Sequence, residues 1–133
     1  MSVKSTARAA AALESQFMSQ LSGWKLANQE LEQLSSQRQT SQSRLEELQL
    51  VAAELEMLED DALLYQMVGP LLTSISVAEG RRINANRTKT VTEEVERYGR
   101  RIRALGEQQR ERRIQLAALQ QKLPNVPDAV YEL

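Results

Sequence analysis

Ten positions in the C-terminal half, Val91, Val95, Tyr98, Ile102, Leu105, Gln109, Arg112, Leu116, Leu119 and Leu123, follow one another in alternating steps of four and three. That spacing is the seam of a coiled-coil helix, and so narrow a stripe is buried only by a second helix. Pro124 and Pro127 stop the pattern. Thr90 and Glu93 have capping-box spacing, while Asn84 or Asn86 offers an earlier start.

The second helix lies upstream. From Ala12 to Ala62 there is no Pro, and apolar residues recur as Phe17, Leu21, Trp24, Leu31, Leu34, Leu45, Leu48, Ala52, Leu55 and Leu58 or Ala62. The steps are threes, fours or their sums. About fifty residues at roughly 1.5 Å each would extend on the order of 75 Å, too long for one stripe to fold back on itself. The expected arrangement is mainly α: a long antiparallel coiled-coil helical hairpin with a short β-hairpin at the connecting end. The expected boundaries within a single domain, 1–133, are an N-terminal extension 1–12, helix 13–62, β-hairpin 63–83, helix 84–123 and tail 124–133.

Placing Ala62 beside Val91 makes facing residue numbers add to about 153, so that Leu45 faces Gln108 and Leu34 faces Leu119. The polar run Ser35–Arg44 then coincides with the polar seam positions Gln109 and Arg112. The acidic run Glu46–Asp61, seven acids and no base, faces Arg97, Arg100, Arg101 and Arg103. Charge supports the pairing: residues 1–66 carry a net −5 and residues 67–133 a net +4. Each polar seam position forgoes about 1.5–3 kcal/mol of Leu-sized burial, so the seam is expected to be looser there, or the polar layer sets the register.

The connector Leu63–Val77 has a different period. Tyr65, Met67, Leu71, Thr73, Ile75 and Val77 roughly alternate with polar residues, the signature of strand. Gly69–Pro70 marks a turn or bulge, and Gly80–Ile83 offers a short returning strand. The bland reading is an apolar loop capping the helices. A lone two-stranded hairpin is marginal in water, and its apolar face and open edges invite pairing with other chains.

Composition excludes much chemistry. There is no Cys and no His, which removes thiol nucleophiles, disulfides and the commonest metal ligand and general base. No nucleophile–base pair or phosphate loop is visible, so no enzyme and no cofactor is expected. The longest uncharged stretch, Ala62–Ala78, is 17 residues and contains Gly, Pro and polar side chains; it falls short of a membrane span. With no export signal, a cytoplasmic protein is expected. Arg81–Arg113 holds eleven Lys/Arg against five Glu. Nucleic-acid binding is one alternative for it, but no aromatic interleaving or binding module accompanies it. It reads instead as a solvated face, so neither nucleic acid nor membrane is expected as a partner. A structural or tethering coiled coil is the other alternative; it accounts for the heptads but not for Leu63–Val77.

The stretch Leu58-Glu59-Asp60-Asp61-Ala62-Leu63-Leu64-Tyr65-Gln66-Met67-Val68-Gly69-Pro70 resembles the beta-class prefoldin subunits, which carry acids, then an apolar–aromatic–polar–apolar–apolar–Gly run. With Glu94-Val95-Glu96-Arg97-Tyr98 it is most similar to the sixth-subunit branch of the eukaryotic family. The resemblance spans Phe17 to Leu123, and Met1–Ala12 and Pro124–Leu133 lie outside it. It implies a subunit of an ATP-independent co-chaperone, a hetero-hexamer of two alpha-class and four beta-class subunits. Their β-hairpins join into a barrel, and coiled-coil ends hold unfolded proteins such as actin and tubulin for transfer to a cytosolic group II chaperonin. The partners implied are other prefoldin subunits, unfolded clients and that chaperonin.

On this reading, Leu63, Tyr65, Met67, Val68, Gly69, Leu71, Leu72, Ile75 and Val77 serve subunit assembly, with Gly69 permitting the bend. Phe17, Met18, Leu21, Trp24, Leu119 and Leu123 serve client binding at the distal tip. In the register above, residues before about Leu21 have no opposite helix, so Phe17 and Met18 should be partly exposed. Leu21 and Trp24 have a second reading, in which they only seal the end of the coiled coil.

Overall fold

The computed structural model describes residues 3–123. Helix α1 spans Val3–Glu56, strands β1 and β2 span Leu64–Val68 and Leu71–Ile75, and helix α2 spans Val77–Lys122. The tail 124–133 lies outside the described residues.

The β-hairpin is made by its turn. Val68 pairs with Leu71, leaving Gly69 and Pro70 as a two-residue loop. Gly69 has φ 59°, and no other described residue has a positive φ. A first loop residue at positive φ followed by one at negative φ is the type II′ arrangement, whose twist suits a hairpin. Proline's fixed φ fits the second position. Gly69–Pro70 is therefore the hairpin turn and not a bulge. The returning strand is Leu71–Ile75, and Gly80–Ile83, expected as that strand, is helical.

Helix α2 starts at Val77, ahead of Asn84, Asn86 and Thr90. Ser76 Oγ accepts a hydrogen bond from the Glu79 backbone N–H at 3.1 Å. Ser76-Val-Ala-Glu79 has the same capping-box spacing as Thr90–Glu93. Thr90 lies inside the helix, its hydroxyl donating to the Asn86 carbonyl. At the other end of the chain, α1 already runs through residues 3–12, all exposed, and stops at Glu56 instead of Ala62.

The described chain divides into two compact units. The hairpin unit comprises Ser36–Gly99. The terminal unit comprises the described residues up to Ser35 and from Arg100 onward. Within each, α1 and α2 run antiparallel. In the hairpin unit Asn84 reaches Leu48 and Arg81 reaches Leu55. In the terminal unit Gln109 reaches Trp24 and Arg101 reaches Glu30. Facing numbers thus add to about 131 to 136, not 153. The shift arises because the hairpin closes on a two-residue turn and α2 begins at once after β2.

This register undoes two expected matches. Gln109 and Arg112 lie against Trp24 and Gly23, not against Ser35–Arg44. The acidic run meets α2 at Arg81, whose guanidinium is 3.5 Å from Asp60. Arg101 instead pairs with Glu30 at 3.0 Å.

In the first turn of α2, Arg82 hydrogen-bonds Glu79. That bond holds the Glu79 carboxyl below its usual value and raises the Arg82 guanidinium in turn. A carboxylate depressed in the folded state stabilises above its unfolded-state pKa and loses that contribution as pH falls through the folded value. Wild type is therefore expected to melt above Glu79→Gln at neutral pH. The two melting curves should converge below about pH 4.

Candidate functional site

In the hairpin unit, residues paired across the two strands share a face. Leu64 with Ile75, Gln66 with Thr73 and Val68 with Leu71 form one face; Tyr65 with Ser74 and Met67 with Leu72 form the other. The Leu64–Ile75 end of the first face is held against the helices, where Leu64, Ile75 and the adjacent Gln66 are half-buried. A groove of about 400 Å³ runs beside that seat, lined by Val51, Leu55, Leu58, Leu64, Ile75 and Ile83 with Asn84 and Arg87.

Beyond the seat the hairpin is open. Leu63, Tyr65, Met67, Val68, Leu71 and Leu72 are exposed, from 56% for Val68 to 74% for Leu63. The sheet has only β1 and β2, so the outer edge of each strand has no neighbour strand among the described residues. Tyr65, Met67 and Leu72 are exposed on one face and Val68 and Leu71 on the other, so both faces carry the apolar exposure that marks an interaction surface. Two expected members of this set behave differently. Ile75 is half-buried, and Val77 is wholly enclosed at 0% exposure in the first turn of α2. Val77 is a core residue, its side chain turned inward by the helical start at that position.

Arg81 closes the end of α1. Its guanidinium donates to the Leu55 carbonyl at 2.9 and 3.2 Å and to the Leu58 carbonyl at 3.1 Å. Helix α1 has no basic residue in its last turn, where carbonyls carry partial negative charge. Glu54, Glu56 and Glu59 add to that charge. Arg81 supplies the missing cation from the opposite helix.

The terminal unit hides what the sequence reading exposes. Phe17, Leu21, Trp24, Leu116, Leu119 and Leu123 form one buried cluster, with Leu13 and Ala117 packed against it. Phe17, expected to be partly exposed, is 1% exposed. In the observed register it falls opposite Leu116, itself 0% exposed. Met18 alone of the six tip candidates is exposed, at 54%.

A polar layer sits beside this cluster. Gln109, buried, donates through Nε2 to the Trp24 carbonyl and to Asn28 Oδ1, both at 2.9 Å. Arg112 Nη1 donates to the Gly23 carbonyl at 3.0 Å and to Gln109 Oε1 at 3.2 Å. The Trp24 indole N–H is buried with no acceptor among the described residues. Here the seam exchanges apolar burial for hydrogen bonds and leaves one donor unsatisfied, a local cost of about 1–3 kcal/mol. Leu64, Gly80, Arg81 and Asn84 escaped the sequence reading. The Ser76–Glu79 capping box, by placing them at the base of the hairpin, was the signal that could have found them.

The geometry of an exposed β-hairpin between two antiparallel helices agrees with the comparisons. A family model described as "Prefoldin subunit" matches residues 20–123. The chain belongs to the prefoldin subunit family. It is 26% identical over 110 residues to prefoldin subunit 6 of Bos taurus and of Homo sapiens, covering 83% of this chain and 85% of each relative. To prefoldin subunit 6 of Arabidopsis thaliana it is 31% identical over 83 residues, 62% of this chain and 64% of the relative. The crystal structure of the prefoldin beta subunit from Thermococcus strain KS-1 superposes with a TM-score of 0.72 at 25% identity, covering 84% of this chain and 95% of that one. The chain is thus a prefoldin-type chaperone subunit with the beta-subunit fold. No helix among the described residues is long and apolar enough to cross a membrane.

The polar layer generates a stability prediction. Gln109→Leu returns a Leu-sized side chain to the seam, gaining about 1.5–3 kcal/mol of burial. It gives up three hydrogen bonds, to the Trp24 carbonyl, to Asn28 and from Arg112, whose net contribution is about 1 kcal/mol each. Asn28, half-exposed, can turn to water. The two sides nearly cancel, so the variant is expected to be no more stable than wild type and within about 1–2 kcal/mol of it, read from the urea unfolding midpoint.

Proposed function

We propose that this chain assembles through its β-hairpin with other prefoldin subunits, in a hexamer of two alpha-class and four beta-class members. The assembly acts in the cytoplasm, captures unfolded actin- or tubulin-type clients without ATP and passes them to a group II chaperonin. The observation that carries this reading is the exposed row Leu63, Tyr65, Met67, Val68, Leu71 and Leu72 on a hairpin with unpaired outer edges. Water-exposed apolar strand residues are a liability in a lone chain. Covering them with neighbouring strands removes the liability and closes the sheet.

Client capture belongs to the terminal unit. Met18 offers an adaptable apolar contact without rearrangement. Phe17, Leu21, Trp24, Leu119 and Leu123 reach a client only when their cluster parts. Gln109, Arg112 and the unsatisfied Trp24 N–H make the polar layer beside it the place where parting costs least.

Co-expression with the other prefoldin subunits and native mass measurement tests assembly. Wild type is expected in a mixed hexamer. Met67→Asp is expected to be absent from it while keeping its helicity by circular dichroism. A Met67→Asp chain that assembles normally would remove the hairpin from the interface.

The hexamer is also expected to delay aggregation of a chemically unfolded client with no nucleotide present. Hexamers carrying Met18→Ser, whose hairpin is untouched, should assemble fully and hold client less well. Equal holding by wild type and Met18→Ser would remove this exposed side chain from client capture.

A further inference from the structure

Gly80 stands near the start of a long helix, where glycine is a poor choice. The packing around it supplies a reason. A Cβ at Gly80 would lie 2.7 Å from Leu64 Cδ1, 3.7 Å from Ile75 Cδ1 and 3.9 Å from Leu55 Cδ2. The bare backbone of α2 is therefore a socket for Leu64 of β1, walled by Ile75 of β2 and Leu55 of α1. These contacts seat the hairpin; beyond them only Gln66 is half-buried, and the other strand residues are exposed. Arg81, the next residue, ties the same turn to the end of α1 through the Leu55 and Leu58 carbonyls.

We propose that Gly80 is a positioning residue for assembly: its missing side chain seats Leu64, and so sets the angle at which the hairpin meets neighbouring subunits. This rests on the reading of the hairpin as the assembly surface. A ring closes only when each subunit presents its edges at the right rotation. The hairpin has no second sheet layer to stiffen it, and a two-stranded ribbon holds its structure poorly when undocked. The seat at Gly80 thus governs both the angle and the order of the strands. An added methyl at Gly80 would have to displace the Leu64 side chain from this seat toward the adjoining groove, shifting how β1 is held.

The test is a double-mutant cycle on the full chain with Gly80→Ala, Leu64→Ala and both together, using two readouts. The first is hydrogen exchange at the β1 and β2 amides of the uncomplexed chain. Gly80→Ala is expected to speed exchange about tenfold while helicity stays the same or rises. The double variant should exchange more slowly than the product of the single effects requires. The second is incorporation into the mixed hexamer by native mass measurement, with Gly80→Ala incorporated about tenfold less well than wild type and partial recovery in the double variant.

Unchanged exchange in Gly80→Ala, or strictly additive effects with Leu64→Ala, would overturn the seat. Altered exchange with wild-type incorporation would overturn its role in assembly. If wild type itself does not join a hexamer, the functional reading and the assembly role fail together, while exchange in the uncomplexed chain still decides whether Gly80 seats Leu64.

Discussion

Side chains of α2 donate hydrogen bonds to main-chain carbonyls of α1, and the register of the antiparallel pair depends on them. In the hairpin unit Asn84 reaches Leu48, and Arg81 reaches Leu55 and, just past the end of α1, Leu58. In the terminal unit Gln109 reaches Trp24 and Arg112 reaches Gly23. Each helical carbonyl has a second lone pair free for such a bond. An apolar seam repeating every seven residues can slide by one repeat and still bury Leu on Leu. Carbonyls recur at every heptad, so the alignment is fixed where the acceptor is particular to one place. Gln109 donates to the Asn28 side chain, and Arg81 to the carbonyls where α1 ends. Losing such a partner costs about 1–3 kcal/mol for a buried group. The polar pegs therefore specify one alignment among several that hydrophobicity alone would accept.

That alignment divides the labour between the units. In the terminal unit it brings Phe17 opposite Leu116 and closes a small apolar core around Trp24. In the hairpin unit it brings Gly80 and Arg81 to the end of α1, where one accepts Leu64 and the other neutralises the acidic terminus. Beyond the seat, Tyr65, Met67, Val68, Leu71 and Leu72 are left exposed among the described residues. A subunit built this way leaves apolar strand residues open at the hairpin and closes another apolar cluster beside a polar layer.

The two helices were legible because a period of three and four over many residues has no other good explanation, and the connector because its period changes to two. The register was misread for a definite reason. Anchoring the pairing at Ala62 and Val91 assumed a long connector, whereas Ser76 starts α2 some fourteen residues earlier than Val91. The overlap of Ser35–Arg44 with Gln109 and Arg112 was then a coincidence of polar composition. The same error exposed Phe17 on paper and buried it in the fold. Val77 was placed on a strand because it continues the period-two alternation of Thr73 and Ile75; the cap at Ser76 overrode that pattern.

What the amino-acid order determined by itself is the kind of architecture. Periodicity dictates which stretches are helical and which extended, and Gly69–Pro70 dictates where the extended stretch reverses. Only the tertiary structure decided which residues are available for binding. Availability depends on the offset between two helices, and that offset is set by contacts far apart in the chain, such as Gln109 with Trp24 and Gly80 with Leu64. A local pattern carries no information about an offset, because every heptad position looks alike until a specific donor finds a specific carbonyl.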